Sequence, residues 1–340
     1  MKVFENYSLL THNTFGIDAK CRRFVEYDNI EELEIALADI RAFPNQPNLH
    51  IGGGSNLLFT KDYDGTIFHS AILGKECISQ TDDEIYLRVG AGEVWDDFVA
   101  WCINNGYYGL ENLSYIPGEV GASAVQNIGA YGKEVSEFID AVETVVVATG
   151  SVRKFKADEC NYGYRFSLFK GENKGKYIVT HVVFRLSKNF QPSLEYAALS
   201  RELANRHIEL GNITAQMLRN IVIEVRKSKL PEPEEIGSAG SFFMNPVVDK
   251  EKAEQLLDLY PAMPHYSVEG GIKIPAGWLI DQCGWKGKCM GHAGVYEKQA
   301  LVLVNHGGAT GEDICRLSQA VQKDVKEKFG ISIFPEVNFI

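Results

Sequence analysis

A chain of 340 residues is long for one hydrophobic core and suits two or three domains. With 45% hydrophobic and 23% charged residues, its composition is that of a globular protein and excludes extensive disorder. Its 45 acidic and 34 basic residues give a formal net charge of -11, which argues against a polyanionic partner such as DNA or RNA.

The opening Met1-Lys2-Val3-Phe4-Glu5-Asn6 lacks the apolar run of a signal peptide, and no later stretch approaches the ~20 apolar residues of a membrane span. Apolar spacing with charges on the other face predicts a helix from residue 30 to 37. A strand-like run then leads into the triple glycine at Gly52, and further strands are expected over 65–72 and 84–89. Residues 95–104 read as an amphipathic helix ended by Gly106. Strands over 141–148 and 177–186 flank the turn Thr149-Gly150-Ser151. A helix over 214–229 puts Met217, Leu218, Ile221, Val222 and Val225 on one face and ends before Pro231 and Pro233. The last third reads as a compact α/β unit. It has a buried strand at 301–304, a helix capped by Thr310 with Asp313 behind it, and a closing strand over 331–340. Seven cysteines lie scattered without a Cys-x-x-Cys pair, so reduced thiols in a cytoplasmic protein are expected, with no metal.

Two glycine-rich passages carry the first functional signal. In Ile51-Gly52-Gly53-Gly54-Ser55-Asn56-Leu57 the missing Cβ atoms let backbone N–H groups converge on an anion, with Ser55 and Asn56 as further donors. Alone, this stretch reads more readily as a tight strand-to-strand turn. The second passage includes Pro117, Gly118, Gly121, Ala122, Ser123, Asn127 and Gly129. Two such loops suit a long ligand with a diphosphate in its middle. A dinucleotide fingerprint needs Gly-x-Gly-x-x-Gly leading into a helix, whereas Gly54 leads into the strand-like Leu57-Leu58-Phe59. The Gly-Lys-Ser/Thr of a nucleotide triphosphatase loop is absent.

Taken in chain order, the motifs resemble the UDP-N-acetylenolpyruvoylglucosamine reductase family. They are Asn13-Thr14-Phe15-Gly16, Gly52 to Asn56, Ile116-Pro117-Gly118, Gln126-Asn127-Ile128-Gly129-Ala130-Tyr131-Gly132 and Tyr162-Gly163-Tyr164-Arg165. Lys229-Leu230-Pro231, Gly240-Ser241-Phe242-Phe243-Met244-Asn245-Pro246, Ala276-Gly277-Trp278-Leu279-Ile280-Asp281 and Phe334-Pro335-Glu336-Val337 complete the series. The resemblance implies an α+β flavoprotein fold of the vanillyl-alcohol-oxidase (PCMH) type, with two FAD-binding subdomains and a C-terminal α/β substrate-binding domain. Residues 1–70 and 71–213 would hold FAD and residues 214–329 the substrate, with 330–340 returning to the flavin site. No histidine falls in either glycine passage, so FAD is expected to be non-covalent.

The implied reaction passes hydride from NADPH to FAD and then to the enolpyruvyl group of a UDP-sugar, in peptidoglycan precursor synthesis. The resemblance gives Arg165 the substrate carboxylate, Ser241 the final proton and Glu336 a polarising role. By local sequence alone, Arg165 reads as readily as a surface charge, while Glu336 reads more readily as a solvated edge residue and Ser241 more readily as a turn or N-cap serine. The same resemblance gives Lys229 and Asn245 the diphosphate and Tyr196 the uridine, on the extra tyrosine loop that one branch of the family carries. Tyr131, Tyr266, Lys273 and Gln299 would line the rest of the pocket. Rival functions are a flavin oxidase on the same scaffold and a non-catalytic nucleotide-sugar binding protein.

Overall fold

The computed structural model describes every residue except 172, 233 and 234, so the predicted stop at Pro233 lies outside the described residues. The chain divides into two compact units. The first comprises Met1–Tyr7, Cys21–Gly53 and Asp64–Arg226; the second comprises Ser8–Lys20, Gly54–Tyr63 and Lys227–Ile340.

The first unit holds a four-stranded sheet in the order Lys2–Ser8, Lys20–Tyr27, Tyr63–Ser70, Asn48–Ile51. The last pair runs parallel and sets Ile51 beside His69. Helix Ile30–Ala42 starts at Asn29, whose side chain accepts from the Glu32 amide at 2.8 Å. Its buried Leu33, Ala36 and Leu37 pack with Val25, Tyr27 and Phe68.

A five-stranded antiparallel sheet follows, in the order Val152–Lys156, Ile139–Val146, Tyr177–Ser187, Glu84–Gly90, Lys75–Gln80. Helices Trp95–Asn104 and Val120–Gln126 join its core, where Trp95, Phe98 and Phe184 meet. The central strand is buried from Ile178 to Leu186 except at Arg185, without the alternation of a half-exposed strand. The cause is cover on both faces. Val179, Val182 and Phe184 enter the helix-covered core, while Ile178 joins the cluster around Leu33. Helices Ala197–Asn205 and Ala215–Lys227 close the unit through Leu199, Leu203, Leu218, Ile221, Val222 and Val225.

In the second unit, strands Gly237–Ser241, Val302–Asn305, Ala293–Val295 and Cys289–Met290 form one sheet. Val247–Val248, Gly271–Lys273 and Tyr266–Val268 form another. Helix Gly311–Phe329 begins with the expected capping box of Thr310 and Asp313 and buries Ile314, Leu317, Val321 and Val325.

The closing strand is much shorter than the sequence predicts. Only Asn338–Phe339 is a strand, parallel to Leu57–Leu58. Pro335 has no N–H to give a continuous ladder, and it makes a single bridge to Phe243 instead. Among the described residues no helix is long and apolar enough to cross a membrane.

Candidate active site

In the second unit, backbone pairing brings distant segments together. The Phe242 amide donates to the Leu301 carbonyl at 2.8 Å, and its own carbonyl accepts from the Glu336 amide at 2.8 Å. The Met244 amide donates to the Phe334 carbonyl at 2.9 Å. Phe242 and Phe243, only 0% and 1% exposed, anchor this junction in the core, while Ser241 beside them is exposed. The strand register shifts between Ser238 and Ser241, where Gly240 takes a φ of 66°. Such an irregularity turns the next side chain out of the regular alternation, and here that side chain is Ser241.

The end of the first glycine passage reaches the same place. Asn56 Nδ2 donates to the Glu336 carbonyl at 3.4 Å, and the Asn338 amide donates to the Asn56 carbonyl at 3.1 Å. Asn56, Ser241 and Glu336 are thus neighbours along the backbone. Gly54 is fixed by packing, because a Cβ there would stand 1.9 Å from the His12 carbonyl oxygen.

Five further candidates occupy this unit. Tyr266 and Lys273 are cross-strand partners. Asn245 Oδ1 accepts from the Ala276 amide at 2.9 Å at the start of helix Ala276–Gln282. Gln299 Oε1 accepts from the Leu301 amide at 3.3 Å. Lys229 is half-buried and follows helix Ala215–Lys227.

In the first unit three of the candidates, Asn127, Tyr131 and Arg165, sit at left-handed backbone positions, with φ of 47°, 50° and 54°, as does Tyr115 at 61°. A non-glycine residue in this region costs roughly 1–2 kcal/mol, and such residues concentrate where a side chain must be held. Arg165 lies in the turn closed by paired hydrogen bonds between Gly163 and Phe166. Its guanidinium donates to the Gly129 carbonyl at 2.7 Å and to the Asn127 carbonyl at 3.4 Å.

Asn127 is buried and fully engaged. Its Nδ2 donates to Glu134 Oε2 at 2.8 Å and to the Gly163 carbonyl at 2.9 Å, and its Oδ1 accepts from the Ser136 amide at 3.1 Å. Its side chain therefore clasps the Arg165 turn to the second glycine passage. Ser123 is also buried, with its hydroxyl donating to the Val120 carbonyl at 2.7 Å. The rings of Tyr131 and Tyr196 meet edge to face with centroids 5.3 Å apart.

The two passages come close in this unit. A Cβ on Gly53 would stand 3.5 Å from the Gly118 Cα, and one on Gly52 would stand 3.2 Å from the Ala122 Cβ. Gly121, on the same passage, donates its amide to the Ala91 carbonyl at 2.9 Å.

Comparison with known proteins gives these arrangements a family. An FAD binding domain model matches residues 22–156, and the model of the UDP-N-acetylenolpyruvoylglucosamine reductase C-terminal domain matches residues 232–340. The UDP-N-acetylenolpyruvoylglucosamine reductase of Bacteroides fragilis strain YCH46 is 54% identical over 99% of this chain and 99% of its own length. That of Flavobacterium johnsoniae is 45% identical over 100% of both. This chain belongs to the UDP-N-acetylenolpyruvoylglucosamine reductase family.

The crystal structure of the Thermus caldophilus UDP-N-acetylenolpyruvylglucosamine reductase has the same fold. Its TM-score is 0.68 at 22% identity, over 99% of this chain and 98% of that one. As a reductase of this family the chain is an FAD-dependent oxidoreductase with the expected α+β flavoprotein fold and C-terminal domain.

The residues present fit FAD. Gly52, Gly53 and Gly118 carry no side chain and Ala122 only a methyl, so their backbone groups suit a diphosphate, although the Glu119 carboxylate also reaches Gly52 and Gly53. Among the described residues no group of three or more His, Cys, Asp or Glu side chains could hold a metal ion.

Sequence reasoning missed two residues that shape this reductase's first unit. Asn112, 1% exposed, uses one Nδ2 to reach the Tyr131 carbonyl at 2.9 Å and the Ser193 carbonyl at 3.0 Å. Arg226 donates from Nε to the Tyr115 carbonyl at 3.0 Å; burial lowers its pKa, against the pull of Tyr131 and Asp96. An asparagine between Glu111 and Leu113 gives no sign of such a role, because both of its acceptors are distant in sequence. Arg226 had a weak signal, as a cation three residues before the motif lysine Lys229.

Proposed function

We propose that the chain is a cytoplasmic NADPH-dependent reductase converting UDP-N-acetyl-3-O-(1-carboxyvinyl)-glucosamine to UDP-N-acetylmuramate, a step of peptidoglycan precursor synthesis. The observation that carries this reading is the hydrogen bond from Glu336 to Phe242, which sets Glu336 alongside Ser241 and next to Asn56. The names of relatives covering the full chain support it. On this reading residues 1–70 and 71–213 bind flavin and residues 214–329 bind the sugar, with 330–340 returning to the flavin.

Bound non-covalently, FAD would supply the two-electron hydride chemistry that links NADPH to the vinyl carbon. Gly52, Gly53, Gly54, Ser55, Asn56 and Leu57 would hold it from one passage, and Pro117, Gly118, Gly121, Ala122, Ser123, Asn127 and Gly129 from the other. Asn127 and Ser123 act here through the loops they brace, since their side chains are already bonded within the protein.

Once the terminal vinyl carbon is reduced, negative charge builds on the carbon beside the carboxylate. Arg165 offers a planar guanidinium to that carboxylate, and Glu336 helps polarise the group. Ser241 Oγ supplies the proton. A serine hydroxyl is a weak acid, so its advantage must come from position, and its outward turn beside Gly240 supports that role.

Lys229 and Asn245 take the diphosphate. Asn245 Oδ1 is already occupied by Ala276, which turns the remaining NH2 into the donor that a phosphate needs. Tyr196 covers the uridine, and Tyr131, Tyr266, Lys273 and Gln299 complete the pocket. The test is anaerobic: NADPH alone should bleach the flavin absorbance, and the enolpyruvyl sugar should then restore it with stoichiometric product. A flavin that NADPH reduces but the sugar does not reoxidise overturns the substrate assignment.

A further inference from the structure

A line of alternating charge crosses the first unit behind the glycine loop. His69, on strand Tyr63–Ser70, lies between two carboxylates. Its Nε2 is 2.8 Å from Glu119 Oε1, and its Nδ1 is 3.3 Å from Glu26 Oε2. A carboxylate oxygen only accepts, so with Glu26 and Glu119 ionised both ring nitrogens donate, which favours the imidazolium form. Glu26 in turn accepts from Lys2 Nζ at 2.7 Å. Lys2, Glu26, His69 and Glu119 thus alternate in sign and sum to zero. The His69 and Glu119 side chains are only 14% and 12% exposed, so water and salt screen this pair weakly.

Glu119 follows Gly118 and sits directly against the loop. A Cβ on Gly52 would stand 3.2 Å from Glu119 Oε2, and one on Gly53 would stand 3.7 Å from Oε1. An uncompensated carboxylate there opposes any diphosphate held by those backbone groups. We propose that His69, as an imidazolium, neutralises Glu119 beneath Gly52 and Gly53, sets the loop's affinity for FAD, and makes that affinity fall as pH rises. The inference rests on the reading that this loop takes the flavin diphosphate. His69 is a positioning residue that acts through Glu119.

The groups around the ring fix the direction of the effect. On strand Lys20–Tyr27 they are Glu26 and the buried Tyr27, with Lys2 beyond Glu26 and Asp28 acting on Lys2. The Phe24 ring lies 6.1 Å from the imidazole. On the neighbouring strand, burial holds His50 uncharged, with a pKa of about 3. For His69, burial alone would lower the pKa, but the hydrogen bonds and charges of Glu119 and then Glu26 outweigh it and hold it above the usual 6.5. The cation is therefore complete on the acid side and is lost as the pH rises through this raised value.

The test is FAD binding by the full chain, followed by flavin fluorescence in wild type, His69→Gln, Glu119→Gln and the double variant. Wild-type affinity should weaken about tenfold from about pH 6 to about pH 9, the size expected for one uncompensated charge close by in a partly buried site. His69→Gln should be about tenfold weak at both pH values, and Glu119→Gln should be tight and flat with pH. The double variant should recover to within about twofold of Glu119→Gln. A double variant as weak as His69→Gln, or an unaltered pH profile in Glu119→Gln, overturns the proposal. The latter holds even if His69→Gln fails to fold. Gly53→Val separates this from the parent reading. If it binds FAD as tightly as wild type, the loop is not the cradle; if it abolishes binding while wild type shows no pH dependence, only the His69 inference fails.

Discussion

The two units hold their candidate residues by different means. In the second unit, Ser241 and Glu336 are placed by main-chain hydrogen bonds around the buried Phe242 and Phe243. In the first, Arg165 and Tyr131 sit at left-handed positions, fastened by the side chains of Asn127 and Asn112 to loop carbonyls. A ladder made by the main chain tolerates exchange of the side chain it presents. A clasp made by one amide side chain does not. The first region should therefore lose geometry with single polar substitutions, and the second should lose only chemistry.

Ser241→Ala is the sharpest test of this contrast and carries the largest expected effect. Product formation should fall about 10²- to 10⁴-fold, the range for a lost general acid, while NADPH-driven bleaching and thermal stability stay near wild type. Rapid-mixing absorbance separates the two half-reactions. If bleaching collapses as much as product formation, Ser241 is structural and the contrast breaks.

Arg165→Lys comes next. Lysine keeps the charge but cannot keep two donors aimed at the Gly129 and Asn127 carbonyls from a left-handed residue. Flavin reoxidation by the sugar should slow roughly 10²- to 10³-fold, comparable to losing one preorganised donor, with reduction by NADPH spared. Normal turnover would remove Arg165 from the site.

The smallest effect belongs to Asn112→Ala, which frees the Tyr131 turn and the Ser193 loop together. Thermal denaturation should show a loss of about 1–3 kcal/mol for the stranded, partly buried carbonyls. KM for the nucleotide sugar should rise more than kcat falls, with FAD affinity unchanged. An equal loss of FAD affinity would mean that Asn112 supports the whole unit and not the tyrosine pair.

Much of this molecule was legible before any tertiary structure. Helix Gly311–Phe329 was announced by its capping box and apolar spacing, and the helix at Ile30–Ala42 by its periodicity, because caps and amphipathic faces are local physics. The glycine passages and the ordered motif series pointed to flavin and to the family, and the comparisons agree. Other elements gave no such signal. The two N-terminal strands, Lys2–Ser8 and Lys20–Tyr27, were not foreseen, since neither alternates cleanly and both depend on their neighbours in the sheet.

By itself, then, the sequence determined the helices at Ile30–Ala42, Trp95–Asn104, Ala215–Lys227 and Gly311–Phe329, the turn glycines and the motif series that names the family. Tertiary structure alone decided how they are held. It reduced the closing strand to Asn338–Phe339, set Glu336 against Phe242, made Asn127 a clasp and put Glu119 under Gly52 with His69 behind it. Each of these joins residues far apart in the chain. Local propensity carries no information about such contacts, because their energy exists only once the intervening chain has closed.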